Sequence, residues 1–216
     1  MIIANWKMNM ITVDARLFLQ KFQPKKDCVI CAPFTLLPIL YEQQNSHIKT
    51  GAQNMFYEQK GAYTGEISPA MIKEYAEYVI IGHSERRKLF QETEEIIHKK
   101  LCAAHTIGLI PILCVSNINQ LVSLNTLIFN TLYIAYEPVE SIGTGNATNP
   151  QTINTILKKI RTVSEKNAKK IFFLYGGSVT SKNAKEYLQQ PEINGLLIGG
   201  ASLNPEEFEK IVIEEQ

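Results

Sequence analysis

Leu132-Tyr-Ile-Ala-Tyr-Glu-Pro-Val-Glu-Ser-Ile-Gly-Thr-Gly145 is the stretch on which the fold is decided. A run of strand length, apolar and aromatic, ends at a single carboxylate, Glu137. Pro138 has no N–H for a ladder and its ring restricts the residue before it, so the strand stops there. Gly143 and Gly145 follow, with backbone angles closed to other residues. The run is apolar throughout rather than alternating, as expected of a parallel strand covered on both faces. Similar runs recur at Ile2–Trp6, Cys28–Ala32, Ile48–Gln53, Tyr78–Gly82, Leu109–Val115, Ile171–Tyr175 and Gly195–Ile198. With Leu132–Tyr136 they make eight, each followed by a helix-like pattern. No linker, low-complexity tract or composition break divides them. Eight strand–helix units imply one α/β domain over residues 1–216, a closed (β/α)8 barrel. An open doubly wound sheet is the alternative, and one Gly-rich turn at 143–145 is too little to favour it.

Composition excludes more than it selects. At 216 residues, 45% hydrophobic and 20% charged, the chain can bury a substantial core as an ordinary globular protein. A net charge of +1 exerts no long-range pull on nucleic acid or an anionic membrane. The expectation is therefore no nucleic-acid partner, no membrane partner and a cytoplasmic location. The opening Met1–Lys7 is too short and too soon charged to read as a signal peptide. No apolar run approaches the roughly 20 residues of a membrane helix. Cys28 and Cys31 form a C-x-x-C, but residues three apart on a strand point to opposite faces, so both cannot grip one ion. They read as structural thiols.

Helix signals fill the gaps. Asn149-Pro150 and Asn204-Pro205-Glu206-Glu207 each offer a cap and a first-turn proline. Gln91–Ala104 has helical periodicity with acid before base. Thr12–Phe22 places Val13, Leu17 and Phe18 on one face. Lys158-Lys159 and Lys169-Lys170 read as solvated helix ends.

Chemistry in such a barrel sits at the carboxyl ends of the strands. Those ends carry Asn5-Trp-Lys7, His83-Ser84-Glu85, Glu137, Gly176-Gly177-Ser178 and Gly199-Gly200. Two glycine turns with helix starts behind them let backbone N–H groups approach an anion, and phosphate suits them. A helix start at Ser84 disfavours imidazolium at His83, so the ring should stay neutral. Lys7 ends an otherwise apolar strand and can face developing negative charge. A carboxylate base, a neutral electrophile, a cation and a phosphate cradle suit proton abstraction beside a carbonyl in a phosphosugar. No metal-ligand spacing appears and no Lys reads as a Schiff-base former. No cofactor is called for.

The motifs Asn5-Trp-Lys-Met-Asn9, Ile81-Gly-His-Ser-Glu-Arg-Arg87, Ala135-Tyr-Glu-Pro-Val139 with Ile142-Gly-Thr-Gly145, Tyr175-Gly-Gly-Ser-Val179 and Gly195-Leu-Leu-Ile-Gly-Gly-Ala-Ser-Leu203 together resemble the triosephosphate isomerase family, in the family's order. The resemblance implies cofactor-independent interconversion of dihydroxyacetone phosphate and glyceraldehyde 3-phosphate, with the family's pairing of Glu base and neutral His electrophile. Glu137 would move the proton, His83 and Asn5 would polarise the carbonyl, and Lys7 would add electrostatic support. Gly143, Ser178, Gly199 and Gly200 would hold the phosphate, and the segment after Glu137 would act as a lid. Ser84, Glu85 and Glu92 resemble supporting groups. Gln53 and the 61–68 loop resemble contacts of a homodimer, in which Thr64 reaches the partner's site.

Two departures stand out. Barrels of this class run to about 250 residues, and the shortage here falls between Cys114 and Tyr133, so the fifth helix should be truncated. The family usually has Trp where this chain has Glu140, and Glu where it has Asn117. The expectation is that Asn117 donates to Glu140 in place of an indole-to-carboxylate bond. A phosphosugar aldolase or epimerase, and a non-catalytic phosphate-binding relative, are the other readings. The first would want a Schiff-base Lys or a metal set, and the second would not need the base.

Overall fold

A computed structural model describes residues 1–43, 45–138 and 148–214. Strands alternate with helices except between β5 and β6: β1 (Ile2–Asn5), α1 (Thr12–Lys21), β2 (Cys28–Ala32), α2 (Leu37–Glu42), β3 (Ile48–Ala52), α3 (Pro69–Lys73), β4 (Tyr78–Ile81), α4 (Ser84–Leu89), α5 (Glu94–Ile107), β5 (Ile110–Val115), β6 (Phe129–Tyr136), α6 (Pro150–Ser164), β7 (Ala168–Tyr175), α7 (Ala184–Leu188), β8 (Gly195–Ile198) and α8 (Pro205–Ile213). Among the described residues the strands pair in parallel in chain order, and β8 returns to β1 with Ile2 opposite Leu196, closing the barrel.

Alternation along each strand divides the apolar residues into two layers. Ile3, Val29, Cys31, Ile80, Ile112, Cys114, Ala135 and Leu174 fill the barrel interior, while Ile2, Ala4, Cys28, Ile30 and Ala32 face the helices. Both sets are buried, which explains strands without polar alternation. Cys28 and Cys31 fall in different layers, as the strand period requires.

Helix ends follow their caps. Asn149 Oδ1 accepts from the N–H groups of Gln151 and Thr152 at 2.9 and 3.2 Å, and Asn204 Oδ1 from Glu207 at 2.9 Å. Helix α5 starts three residues later than the periodicity suggests because Thr93 Oγ1 caps it, accepting from Ile96 N–H at 3.3 Å.

Three expectations need correction. On α1, Val13 and Leu17 are about half exposed, and the inward stripe is Ala15 and Phe18, continued by Phe22. The aromatic chain Trp6–Phe18–Phe22–Phe208, each ring about 5.1–5.2 Å from the next, sets the helix rotation. Lys169 and Lys170 lie on β7, not at a helix end, where Thr131 pairs with Lys170. Strands β6 and β7 run further toward the N-terminal face than apolarity alone indicated. There Asn167 Nδ2 donates to the carbonyls of Asn125 and Leu127 at 3.0 and 2.9 Å.

The truncation of the fifth helix holds. Between β5 and β6 stands only the 3-10 segment Ile118–Leu124, which buries Leu121 and Leu124 and meets α5 through His98 Nδ1 and the Ser123 carbonyl, 2.8 Å apart.

Candidate active site

Each expected site residue is held by the strand end that carries it. Glu137 follows β6 directly: its N–H donates to the Val115 carbonyl at 2.8 Å, and Gly176 N–H donates to the Tyr136 carbonyl at 2.9 Å. These backbone bonds leave the side chain no course but inward, and its carboxylate is buried, at 3% side-chain exposure. A Cβ on Gly176 would stand 3.0 Å from Glu137 Cγ, so the bare backbone there makes room for the acid.

Burying a carboxylate costs several kcal/mol unless it is paired. Here Glu137 Oε1 lies 3.0 Å from His83 Nε2, and Oε2 accepts from Ser84 N–H at 3.0 Å. Burial alone would raise the Glu137 pKa. The adjacent imidazole and the Ser84 bond outweigh it, and the net shift is downward. The Cys114 thiol lies within reach of this carboxylate; burial first, then the Glu137 charge, holds its pKa well above the usual thiol value.

His83 is the N-cap of α4 and its Nδ1 accepts from Glu85 N–H at 3.3 Å. That bond uses the Nδ1 lone pair, so the ring proton of the neutral form sits on Nε2, facing Glu137. The ionisation itself moves the other way from the sequence expectation. Burial lowers the His83 pKa, but the touching Glu137 carboxylate, with Glu85 behind it, outweighs burial and raises it. Reading the helix start alone left Glu137 out of account. The hydrogen bonds fix the tautomer, and the upward shift belongs to the arrangement with Glu137 in contact.

Lys7 takes a left-handed backbone conformation, φ 53°, at the end of β1. Its N–H donates to Asn5 Oδ1 at 3.1 Å, leaving the Asn5 amide nitrogen as a donor toward the cleft. Its ammonium donates to Glu85 Oε1 at 2.6 Å. Gln53 Nε2 donates to the carbonyls of Lys7 and Cys31 at 2.9 and 3.0 Å, so this side chain ties β3 to the ends of β1 and β2. Glu92 is placed apart from the cleft. Its Oε1 accepts from Arg86 and from Lys100, both at 2.5 Å.

Asn5, Lys7, His83 and Glu137 share one cleft of about 380 Å³ with Gly176–Ser178, Gly199 and Gly200. A Cβ on Gly199 would make only ordinary contact with Lys7 Cε at 3.5 Å, and one on Gly200 would meet nothing within 4 Å. Packing within the protein therefore does not demand glycine at either position. Gly143 and Glu140 lie outside the described residues, as does the lid expected around them. Asn117 is engaged locally: its Oδ1 accepts from Asn119 N–H at 3.0 Å and caps the 3-10 segment. Thr64 is exposed on the loop between β3 and α3. Sequence reading missed the Cys114–Glu137 contact and the part of Gln53 in holding Lys7, since neither leaves a periodic or spacing signal.

The triosephosphate isomerase family model matches residues 1–215. The chain is 42% identical to the triosephosphate isomerase of Dictyoglomus turgidum, covering 98% of this chain and 97% of the relative. It is 44% identical to that of Dehalococcoides mccartyi strain BAV1, over 97% and 94%, and 41% identical to that of Aquifex aeolicus, over 98% of each. A closed barrel with this cleft, a family match along almost the whole chain and relatives above 40% identity agree: the chain belongs to the triosephosphate isomerase family, isomerases that need no cofactor.

Proposed function

We propose that the protein interconverts dihydroxyacetone phosphate and D-glyceraldehyde 3-phosphate, with Glu137 moving one proton between adjacent carbons through an enediolate. The carrying observation is the 3.0 Å contact between Glu137 and His83 in the shared cleft. In this arrangement the carboxylate occupies the imidazole N–H. When substrate enters, Glu137 leaves Nε2 for the carbon-bound proton, and Nε2–H turns to the substrate oxygen. Loss of the carboxylate contact removes the main influence raising the His83 pKa and leaves Glu85 alone against burial, the largest cause, and the Lys7 charge, which lower it. The working imidazole is then neutral. Asn5 donates to the same developing oxyanion, and Lys7, steadied by Glu85, offsets its charge. The N–H groups of Ser178, Gly199 and Gly200, with Gly143, hold the phosphate.

A positioned base is worth about 10²–10⁴-fold, so fixed donors and substrate positioning supply most of the acceleration. Turnover of glyceraldehyde 3-phosphate in the presence of a chelator tests the reading. Glu137→Gln should lower kcat by about 10²–10⁴-fold and keep the affinity for inorganic phosphate. Activity retained in that variant would sink the assignment.

We further infer a homodimer, acting in the cytoplasm in glycolysis and gluconeogenesis. Among the described residues no helix is long and apolar enough to cross a membrane. Beside the site runs a cleft of about 620 Å³ whose walls include Met8, Leu89 and Phe90. Met8 is 97% exposed, and Leu89 and Phe90 are more than 60% exposed. A second copy's 61–68 loop, bearing Tyr63 and Thr64, would cover it. Met8→Arg should give a monomer by analytical ultracentrifugation, with activity reduced; an unchanged mass in a monomeric wild type would remove the dimer.

A further inference from the structure

Two tyrosines outside the reacting set grip the backbone of one residue, on the peptide units either side of it. Tyr187 on α7 donates its hydroxyl to the Thr148 carbonyl at 2.5 Å, while Thr148 N–H donates to the Tyr175 hydroxyl at 3.3 Å. The two rings stack, with centroids 4.3 Å apart and an interplanar angle of 24°, and both side chains are buried. Thr148 directly precedes the cap and first turn of α6, Asn149-Pro150. The hydroxyls thus tie the end of β7, helix α7 and the start of α6 at one point.

The Tyr175 hydroxyl also lies on the glycine turn. A Cβ on Gly177 would fall 2.1 Å from that oxygen. No side chain fits between the phenol and the backbone of Gly176–Ser178, so the position of Tyr175 sets the position of the turn. Tyr187 fixes Tyr175 twice over, through the ring stack and through the backbone of Thr148, which both hydroxyls hold. Phenol ionisation does not compete: burial first, then the neighbouring Tyr175 hydroxyl, raises the Tyr187 pKa above its ordinary value.

We infer that Tyr187 is a positioning residue for anion binding, holding the Gly176–Ser178 turn in place through Tyr175 and Thr148. The inference rests on the reading of that turn as part of a phosphate cradle. Tyr187 touches neither the acid nor the imidazole, so its effect falls on binding and not on proton transfer.

The test is Tyr187→Phe, which keeps the ring and removes one hydroxyl. Its Ki for inorganic phosphate and its KM for glyceraldehyde 3-phosphate should both rise, by about three- to tenfold, the range of one lost buried hydrogen bond. Its kcat should stay within about twofold, the expectation for lost uniform binding. A lower melting temperature in Tyr187→Phe with Ki and KM unchanged would overturn the inference and reduce the pair to packing. So would a fall in kcat at unchanged Ki. If the wild type neither turns over the triose phosphate nor is inhibited by phosphate, the cradle reading fails too. If it does both and Tyr187→Phe equals it, only this inference fails.

Discussion

The two sides of the cleft are built on opposite principles. Around the ends of β1, β4 and β6, charged and polar groups hold one another: Glu137 on His83 and Ser84, Lys7 on Glu85, Asn5 on the Lys7 backbone. Around the ends of β7 and β8 the backbone is left bare: Gly176 and Gly177 are crowded by Glu137 and Tyr175, while Gly199 and Gly200 stand where neighbouring atoms do not require glycine. Groups that move charge gain from being fixed before substrate arrives, because reorganisation during the reaction raises the barrier. Groups that grip an anion through N–H need close approach, which side chains would block.

The sharpest way to break this contrast is at Gly176, where the two sides touch. A methyl there stands 3.0 Å from Glu137 Cγ, so the acid must move by a few tenths of an ångström. Misplacement of about 1 Å costs on the order of 10²-fold. Gly176→Ala should therefore lower kcat by about 10- to 100-fold, with the Ki for phosphate nearly unchanged. Steady-state kinetics with phosphate as inhibitor measure both. A raised Ki at normal kcat would place Gly176 on the anion side instead.

Gly200→Ala is the complementary change and should act more weakly. Its methyl meets no protein atom within 4 Å, so the melting temperature should stay within about 1 °C of wild type. Phosphate affinity should fall by about tenfold at unchanged kcat, because a side chain there hinders close approach of an anion to the backbone. Isothermal titration with inorganic phosphate and a thermal melt separate the two effects. Unchanged affinity would show that the bare backbone at β8 serves nothing on this side of the cleft.

The same contrast governs what was legible in the sequence. Strands were readable because burial on both faces makes them uniformly apolar; Cys28–Ala32 and Gly195–Ile198 were read to the residue. Where β6 and β7 extend beyond the core, Asn130, Lys169 and Lys170 break that signature and the extensions were lost. On α1 two apolar stripes compete. Val13 and Leu17 are four apart, Ala15, Phe18 and Phe22 three and then four, and periodicity cannot choose between them. The ring packing against Trp6 and Phe208 does. Strand-end position was enough to collect the acid, the imidazole, the ammonium and the glycine turns at one mouth. Mutual effects were not accessible from position. The pull of Glu137 on His83, the tie from Gln53 to Lys7 and the placement of Glu92 all depend on contacts across at least six residues of chain.

That mutual pull yields the smallest predicted effect and tests how far the charged side stabilises itself. The Glu137 pKa is lowered in the fold, so its contribution to stability is present above its ordinary 4.5 and is lost as pH falls through the folded value. The His83 pKa is raised, so its contribution is complete below the ordinary 6.5 and is lost as pH rises through the folded value. The pair stabilises most between about 4.5 and 6.5 and less on either side. Wild type should therefore lose stability relative to Glu137→Gln as pH rises from about 6 to 8, by about 1 kcal/mol or less. Urea unfolding of both proteins across that range measures the difference. A flat difference would mean that His83 stays neutral even while the carboxylate touches it, so that the hydrogen bond to Glu85 N–H, and not the charge on Glu137, decides the protonation of the ring.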